Sequence, residues 1–361
     1  MKIALVHDYL SQQGGAEKVL EAFCEIWPDA PIFALFYDKD KIWQPFKDKK
    51  IFTSFLQKAP GIQKHYQWYL PLMPLATESY NLEDYDVILS STSAFAKGII
   101  TRPGTLHFSY CHTPTRYLWS DTHSYVSDLN IPRPIKMFLP PMLSRLRVWD
   151  RMASDRVDYF IANSNAVGDR IKKYYHRIST TIYPPVDVDK FYISKPENFY
   201  LIGGRIVNYK RYDIVIHAFS KLGIPLYVFG EGPALDYLRS IAKPNIKFLG
   251  KINEYEKSEL FSRCLAFIHP QEEDFGITAV EAMASGRPVI AYPKGGALET
   301  VIPGITGEFI EEQSWEDIVG EIIRFKLENY DSNKIRAHAE NFSRQIFKEK
   351  IFNFINANIK I

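Results

Sequence analysis

Short apolar runs alternate with amphipathic stretches along the whole chain. Ile3–Val6 reads as a buried strand, and Gly14-Gly15-Ala16-Glu17 opens a helix that runs to about Ile26. Residues 31–35, 86–90, 106–110 and 159–163 are further strands, the last preceded by a helix near 142–156. Continuous rather than alternating apolar strands, separated by helices, predict parallel sheets covered on both faces. The pattern breaks near 178–197, where Tyr183-Pro184-Pro185-Val186-Asp187 is incompatible with a helix interior. A second series then begins. Strands are expected at 199–203, 226–230, 246–249, 265–269 and 289–291, with helices at 212–221 and 235–242. A closing helical pattern, about 342–358, carries Phe347, Ile351, Phe352 and Ile355 on one side. The expected class is α/β, with two doubly wound Rossmann-like domains. Their bounds are 1–178 and 198–341, joined by a linker at 179–197. The C-terminal helix, 342–361, has the N-terminal domain as its candidate packing partner. In such a pair the ligand cleft is expected between the domains, at the carboxyl ends of strands.

A chain of 361 residues suits two domains, and its 46% hydrophobic and 24% charged residues are ordinary for a globular protein. A net charge of +2 gives no global field for nucleic acid. The charge is local instead: residues 131–178 hold ten basic and four acidic groups. Cys24, Cys111 and Cys264 are far apart, so no zinc site or disulfide framework is indicated, and a reducing cytoplasm fits. The N-terminus turns polar too soon for a signal peptide, and no run of about 18 apolar residues predicts a membrane span. Membrane contact is therefore expected to be peripheral, at the inner face of the cell membrane. Two segments mix basic and apolar groups in a way that suits anionic lipid. The first, 46–75, holds Lys47, Lys49, Lys50, Lys58 and Lys64 with Phe52, Phe55, Leu56, Trp68, Tyr69, Leu70, Leu72 and Met73. The second, 131–151, holds Arg133, Lys136, Arg145, Arg147 and Arg151 with Met137, Phe138, Leu139, Leu143 and Trp149. Core-facing helices with solvated charges would give the same composition.

The candidate chemistry follows predicted strands. Gly203-Gly204-Arg205 and Lys210 form a loop whose glycines admit a ligand closely and whose cations grip phosphate oxygens. Gly230-Glu231-Gly232-Pro233 follows the next strand. Phe275-Gly276-Ile277-Thr278 leads into a helix ended by Gly286 and Pro288, and a helix start offers free N–H groups to a diphosphate. Glu273 and Glu281 bracket that start with seven residues between them. Thr278 and Glu281 also spell a capping box, and Glu273 also fits a solvated acidic loop. Asp187-Val188-Asp189 has the D-x-D form used for manganese, but its place in a Pro-rich connection reads as a turn. His7 and Asp8 end the first strand, and His112 follows another.

Taken in order, these strings resemble the retaining glycosyltransferases of family 4, with the GT-B fold, over nearly the whole chain. Gly295-Gly296-Ala297-Leu298-Glu299, Ala162-Asn163-Ser164 and the string His112-Thr113-Pro114-Thr115-Arg116-Tyr117-Leu118-Trp119 belong to the match. The last string is most similar to bacterial mannosyltransferases of O-antigen and exopolysaccharide assembly. The resemblance implies a hexose, with mannose from GDP-mannose as the leading donor, moved to a glycan or lipid-linked saccharide hydroxyl. A UDP- or dTDP-sugar donor, or a non-catalytic nucleotide-sugar-binding protein, are the alternatives. It implies that Arg205 and Lys210 hold the diphosphate, Glu281 the ribose, and Glu273 the transferred sugar. His112 falls on the sugar and acceptor side; Gly14 and Gly15 form the glycine loop beside the diphosphate. Gly230, Phe275, Gly276, Ile277 and Thr278 complete the donor site. No cofactor and no metal are implied. Asp274 stands where many members have Gly. A nicotinamide enzyme would need G-x-G-x-x-G after the first strand, which Gly14-Gly15-Ala16-Glu17 does not supply. A phosphorylase would need a cofactor lysine that is not identifiable.

Overall fold

The computed structural model describes residues 1–122 and 133–359, with the side chains of 133–135, 137 and 138 left out. Arg133, Met137 and Phe138 of the second basic-aromatic segment thus lie outside the described side chains. The chain divides into two compact units, one of residues 1–183 with the segment from Phe347 onward, the other Pro184–Ile346.

The first unit is built on seven strands: β1 (Ile3–His7), β2 (Ile32–Ala34), β3 (Ile51–Thr53), β4 (Val87–Thr92), β5 (Leu106–Cys111), β6 (Tyr159–Ala162) and β7 (Ser179–Thr181). Their order is β3-β2-β1-β4-β5-β6-β7, and every pairing is parallel. All five residues of β1 and all six of β4 are buried, as strands covered on both faces require. The second unit holds β8 (Tyr200–Gly203), β9 (Leu226–Phe229), β10 (Ile246–Gly250), β11 (Phe267–His269), β12 (Val289–Ala291) and β13 (Gly307–Phe309). Their order is β10-β9-β8-β11-β12-β13, again all parallel. The winding reverses between β1 and β4 in one sheet and between β8 and β11 in the other. Those two points are where open α/β sheets leave a crevice beyond the strand ends.

Three strands escape the apolar pattern because they are short sheet edges that are not buried throughout: β3, β7 and β13. The connection expected at 179–197 is correspondingly narrower. Ser179–Thr181 pairs with β6, and the Val186 N–H already bonds the Phe342 carbonyl inside the second unit, at 3.0 Å. The closing helix, Arg344–Ile359, buries Phe347, Ile351 and Ile355 in the first unit's core, where Phe347 meets Phe23 and Tyr110. Burial of each such side chain stabilises by about 2 kcal/mol. Phe352 does not join that face: it is exposed, one residue out of the four-residue spacing that aligns the other three.

Segment 46–75 is not one surface. Phe52 lies in β3 and stacks on Phe33 at 4.8 Å, while Leu56, Leu70 and Met73 are core. Phe55, Trp68 and Leu72 are exposed. In the second segment Leu143 is core and Leu139 and Trp149 pack against it, so much of that composition is a core-facing helix.

Candidate nucleotide-sugar site

In the second unit the switch point gathers the acidic and basic groups. β8 ends at Gly203, and the loop beyond it carries Arg205 and Lys210. β11 ends at His269, and the loop beyond it carries Gln271 and Glu273. Lys210 Nζ meets Glu273 Oε1 at 2.7 Å, and both side chains are largely buried. Gln271 Nε2 donates to the same carboxylate at 3.3 Å and to His269 Nδ1 at 3.1 Å. Burial alone would raise the Glu273 carboxyl. The Lys210 ammonium, His269 and these hydrogen bonds outweigh it and hold the group below its usual value. Burial pushes His269 down, so its ring is neutral, and with Nδ1 accepting from Gln271 its Nε2 carries the proton.

Three buried polar atoms around this pair have no hydrogen-bond partner: His269 Nε2, Gln271 Oε1 and the Tyr212 hydroxyl. Tyr212 opens the helix Tyr212–Leu222, and burial, then the Glu273 charge, raises its hydroxyl well above the usual value. Buried polar atoms left unpaired cost about 1–3 kcal/mol each, so they mark a place where a ligand's hydroxyls or phosphate oxygens would find bonds.

Backbone geometry keeps this space open. Gly230 has φ +112°, and a Cβ there would lie 1.8 Å from the Gly204 carbonyl oxygen; the two loops touch in a way only glycine permits. Gly276 has φ +89° and caps the helix Ile277–Ala284; a Cβ on it would stand 3.1 Å from His269 Nε2. The Gly296 N–H bonds the Glu273 carbonyl at 2.9 Å, so the Gly295-Gly296 loop fixes the backbone that presents the acid. Phe275 is buried and packs edge-on to Phe342 at 5.6 Å. Ile277 and Thr278 are half-buried in the helix's first turn.

Glu281 is not part of a capping box. The helix cap is Gly276, which has no side-chain cap bond, and Thr278 is already inside the helix. The carboxylate instead meets Lys257 Nζ, from helix Glu254–Arg263, at 3.0 Å. Arg205 is exposed and meets no polar partner among the described residues, so the structure brings Lys210, but not Arg205, to Glu273. Asp187 of the D-x-D string meets Lys190 at 2.9 Å and Arg344 at 2.6 Å.

The first unit has its own cluster at the β1/β4 switch point. The Asp8 carboxylate accepts four backbone N–H bonds, from Ser93, Ala94, Phe95 and Ala96, and so ties the end of β1 to the loop after β4. His7 Nδ1 lies 3.1 Å from Ser91 Oγ, which lies 2.8 Å from His112 Nε2. Burial pushes His112 down to about 3. Gly14 caps helix Gly15–Ile26; a Cβ there would stand 2.9 Å from Glu17 Oε2, and Gly15 is exposed. Thr115 and Trp119 of the His112 string do not face this cluster. Both donate to Asp150, at 2.8 Å each, which also pairs with Lys97 at 2.5 Å.

Sequence reasoning missed Lys257, His269, Gln271, Tyr212, Ser91 and Asp150. Each pairs with a residue far away in the chain or carries no motif of its own. His269 was legible only as the last residue of a strand.

Comparison with known proteins bears on residues 14–344. The model for Glycosyltransferase Family 4 matches residues 14–190, and that for Glycosyl transferases group 1 matches 186–344. An uncharacterized glycosyltransferase of Methanocaldococcus jannaschii is 27% identical over 210 residues, 56% of this chain and 60% of that protein. The O-antigen chain mannosyltransferase C of Escherichia coli is 31% identical over 106 residues, 27% of this chain and 29% of that protein. The chain thus spans at most about three fifths of the length of these curated relatives. Among solved structures, Anabaena HepE in complex with UDP has TM-score 0.71 at 18% identity, over 99% of this chain and all of that one. No helix among the described residues is long and apolar enough to cross a membrane.

Proposed function

The chain belongs to the glycosyltransferases of the GT-B type, and from that premise we propose that it moves a hexose from a nucleotide sugar to a saccharide hydroxyl. The observation that carries this reading is the Lys210–Glu273 pair set among unpartnered buried polar atoms at the β8/β11 switch point. Breaking the glycosyl–phosphate bond builds negative charge on the leaving diphosphate. Lys210, Arg205 and the free N–H groups at the start of helix Ile277–Ala284 are the donors offered to it. One such preorganised donor is worth about 3 kcal/mol at the transition state. Glu273 then has two tasks: it holds Lys210 in place and accepts from sugar hydroxyls. Glu281, braced by Lys257, takes the ribose, and Gly230 keeps its loop close to the phosphate loop. For Gly14, Gly15 and His112, which lie in the first unit, the support is the sequence resemblance.

The reaction proceeds with retention by front-face attack, in which the donor phosphate accepts the acceptor's proton. Glu273 is already engaged with Lys210 and Gln271 and is not free as a nucleophile. Lys210 and Arg205 supply the cationic charge a metal would bring, while Asp187 is engaged by Lys190 and Arg344; no metal or cofactor takes part. The donor is GDP-mannose, supported by the His112 string and by the name of the Escherichia coli relative. Thermal unfolding with a panel of nucleotide sugars tests this. GDP-mannose at 100 times its dissociation constant adds ~2.7 kcal/mol of stability. Turnover with it survives a chelator. A shift with UDP- or dTDP-sugars alone sinks the GDP-mannose assignment, and binding without turnover sinks the enzyme reading.

The acceptor is lipid-linked and met at a membrane face. Support comes from Trp68, Leu72 and Leu75, all exposed, which alternate with buried Leu70, Met73 and Ala76 along the helical segment 62–78. Lys58, Lys64 and His65 lie beside them in sequence. Flotation is expected with vesicles containing anionic lipid at low salt and is weaker at high salt. Absence of binding in both overturns it.

A further inference from the structure

We propose that Glu17, His7 and Ser91 form a chain of positioning residues that sets the tautomer of His112, leaving its Nδ1 as a bare acceptor that reads a hydroxyl. The chain is buried along its length: His7 and Glu17 are each 3% exposed and Ser91 not at all. Glu17 Oε1 stands 3.8 Å from His7 Nε2. A nitrogen lone pair facing a buried carboxylate is repelled by it, so a neutral His7 ring carries its proton on Nε2 and has its lone pair on Nδ1. His7 Nδ1 then needs a donor, and the Ser91 hydroxyl at 3.1 Å is the one present. Ser91 has a single proton. Having given it to His7, its oxygen accepts from His112 Nε2–H at 2.8 Å. His112 therefore holds its proton on Nε2, and Nδ1 has no hydrogen-bond partner among the described residues.

The backbone reinforces the alignment. His7 and Ser91 are paired across β1 and β4, and the His112 N–H bonds the Thr92 carbonyl at 2.8 Å. Glu17 lies in the first turn of helix Gly15–Ile26, where a carboxylate is favoured by the helix dipole. Burial keeps the His112 ring neutral, as an acceptor role requires. A bare imidazole nitrogen welcomes an O–H and repels a phosphate oxygen, which has no proton to offer at neutral pH. His112 thus selects a sugar or acceptor hydroxyl over the diphosphate. That catalytic meaning rests on the transferase reading; the tautomer itself does not.

The test is a long-range proton–nitrogen correlation spectrum of the full chain labelled with 15N-histidine. His112 is assigned among the nine histidines by the loss of its signals in His112→Gln. The expected pattern at neutral pH is a single tautomer with the proton on Nε2. A proton on Nδ1, or a mixture in the unmutated chain, overturns the proposal without reference to activity or to any variant's folding. In Ser91→Ala the His112 signals should move toward a mixture and turnover fall about tenfold, the worth of one misdirected hydrogen bond. Ser91→Thr, which keeps the hydroxyl, should restore both. An unchanged tautomer in Ser91→Ala overturns the chain. The expected tautomer in a protein that transfers no sugar would end the transferase reading and leave the chain standing.

Discussion

Replacing Lys210 with methionine should lower turnover by about 10²- to 10³-fold, the loss seen when one preorganised donor to developing charge is removed. The same change should weaken folding by about 3 kcal/mol, because it strands a largely buried carboxylate. The two losses are separable. In Lys210→Met/Glu273→Gln no charge is left unpaired, so the thermal midpoint should recover most of its shift while turnover stays low. The acid side gives an independent check. In the unmutated protein the Glu273 carboxyl is held below its usual value. A depressed folded-state value means the pair's stabilisation is present above the unfolded value, near 4.3 for glutamate, and disappears as pH falls through the folded one. In Lys210→Met, burial acts without its largest opponent and the carboxyl rises. The variant should therefore gain stability relative to the unmutated protein as pH falls toward 4. A single variant with an unchanged midpoint would show that the pair does not contribute in solution. Full turnover without Lys210 would remove it from the diphosphate site.

The division into two parallel α/β units was legible because strands buried on both faces must read as continuous apolar runs, as β1, β8 and the first half of β4 do. The edge strands β3 and β7 were not, since Ile51-Phe52-Thr53 and Ser179-Thr180-Thr181 are half-exposed and leave no buried apolar run to read. The glycine strings were legible as loops, and Gly276 and Gly230 occupy backbone conformations that other residues rarely adopt. What each acid touches was not legible. Glu281 reads equally well as a cap of its own helix, and only folding brings Lys257, 24 positions away, to it. The exposed and buried members of 46–75 were indistinguishable by composition. They separate only once β3 pairs with β2 and turns Phe52 onto Phe33.

The same limit applies to the string that begins at His112, and it carries the second large expectation. Asp150→Ala should destabilise the first unit by about 3–5 kcal/mol, the cost of leaving a buried charge alone. Lys97 and Asp150 are each 1% exposed, and the carboxylate is saturated: Lys97 and Thr115 share Oδ1, Trp119 and the Tyr175 hydroxyl share Oδ2. Thr115 and Trp119 belong to the string, so two of the eight residues of what looks like a catalytic signature anchor the His112 loop to helix Arg133–Ser154. Urea unfolding of Asp150→Ala should show the loss. Lys97→Met should lose a similar amount by stranding Asp150, and Lys97→Met/Asp150→Leu should lose much less than the sum, since neither charge then remains. Additive losses would mean that the two groups are not coupled. Turnover in Asp150→Ala should fall even at temperatures where the chain stays folded, because Thr115 and Trp119 no longer pin the segment that presents His112. Unaltered turnover at such a temperature would mean that His112 is held by Ser91 and the Thr92 carbonyl alone.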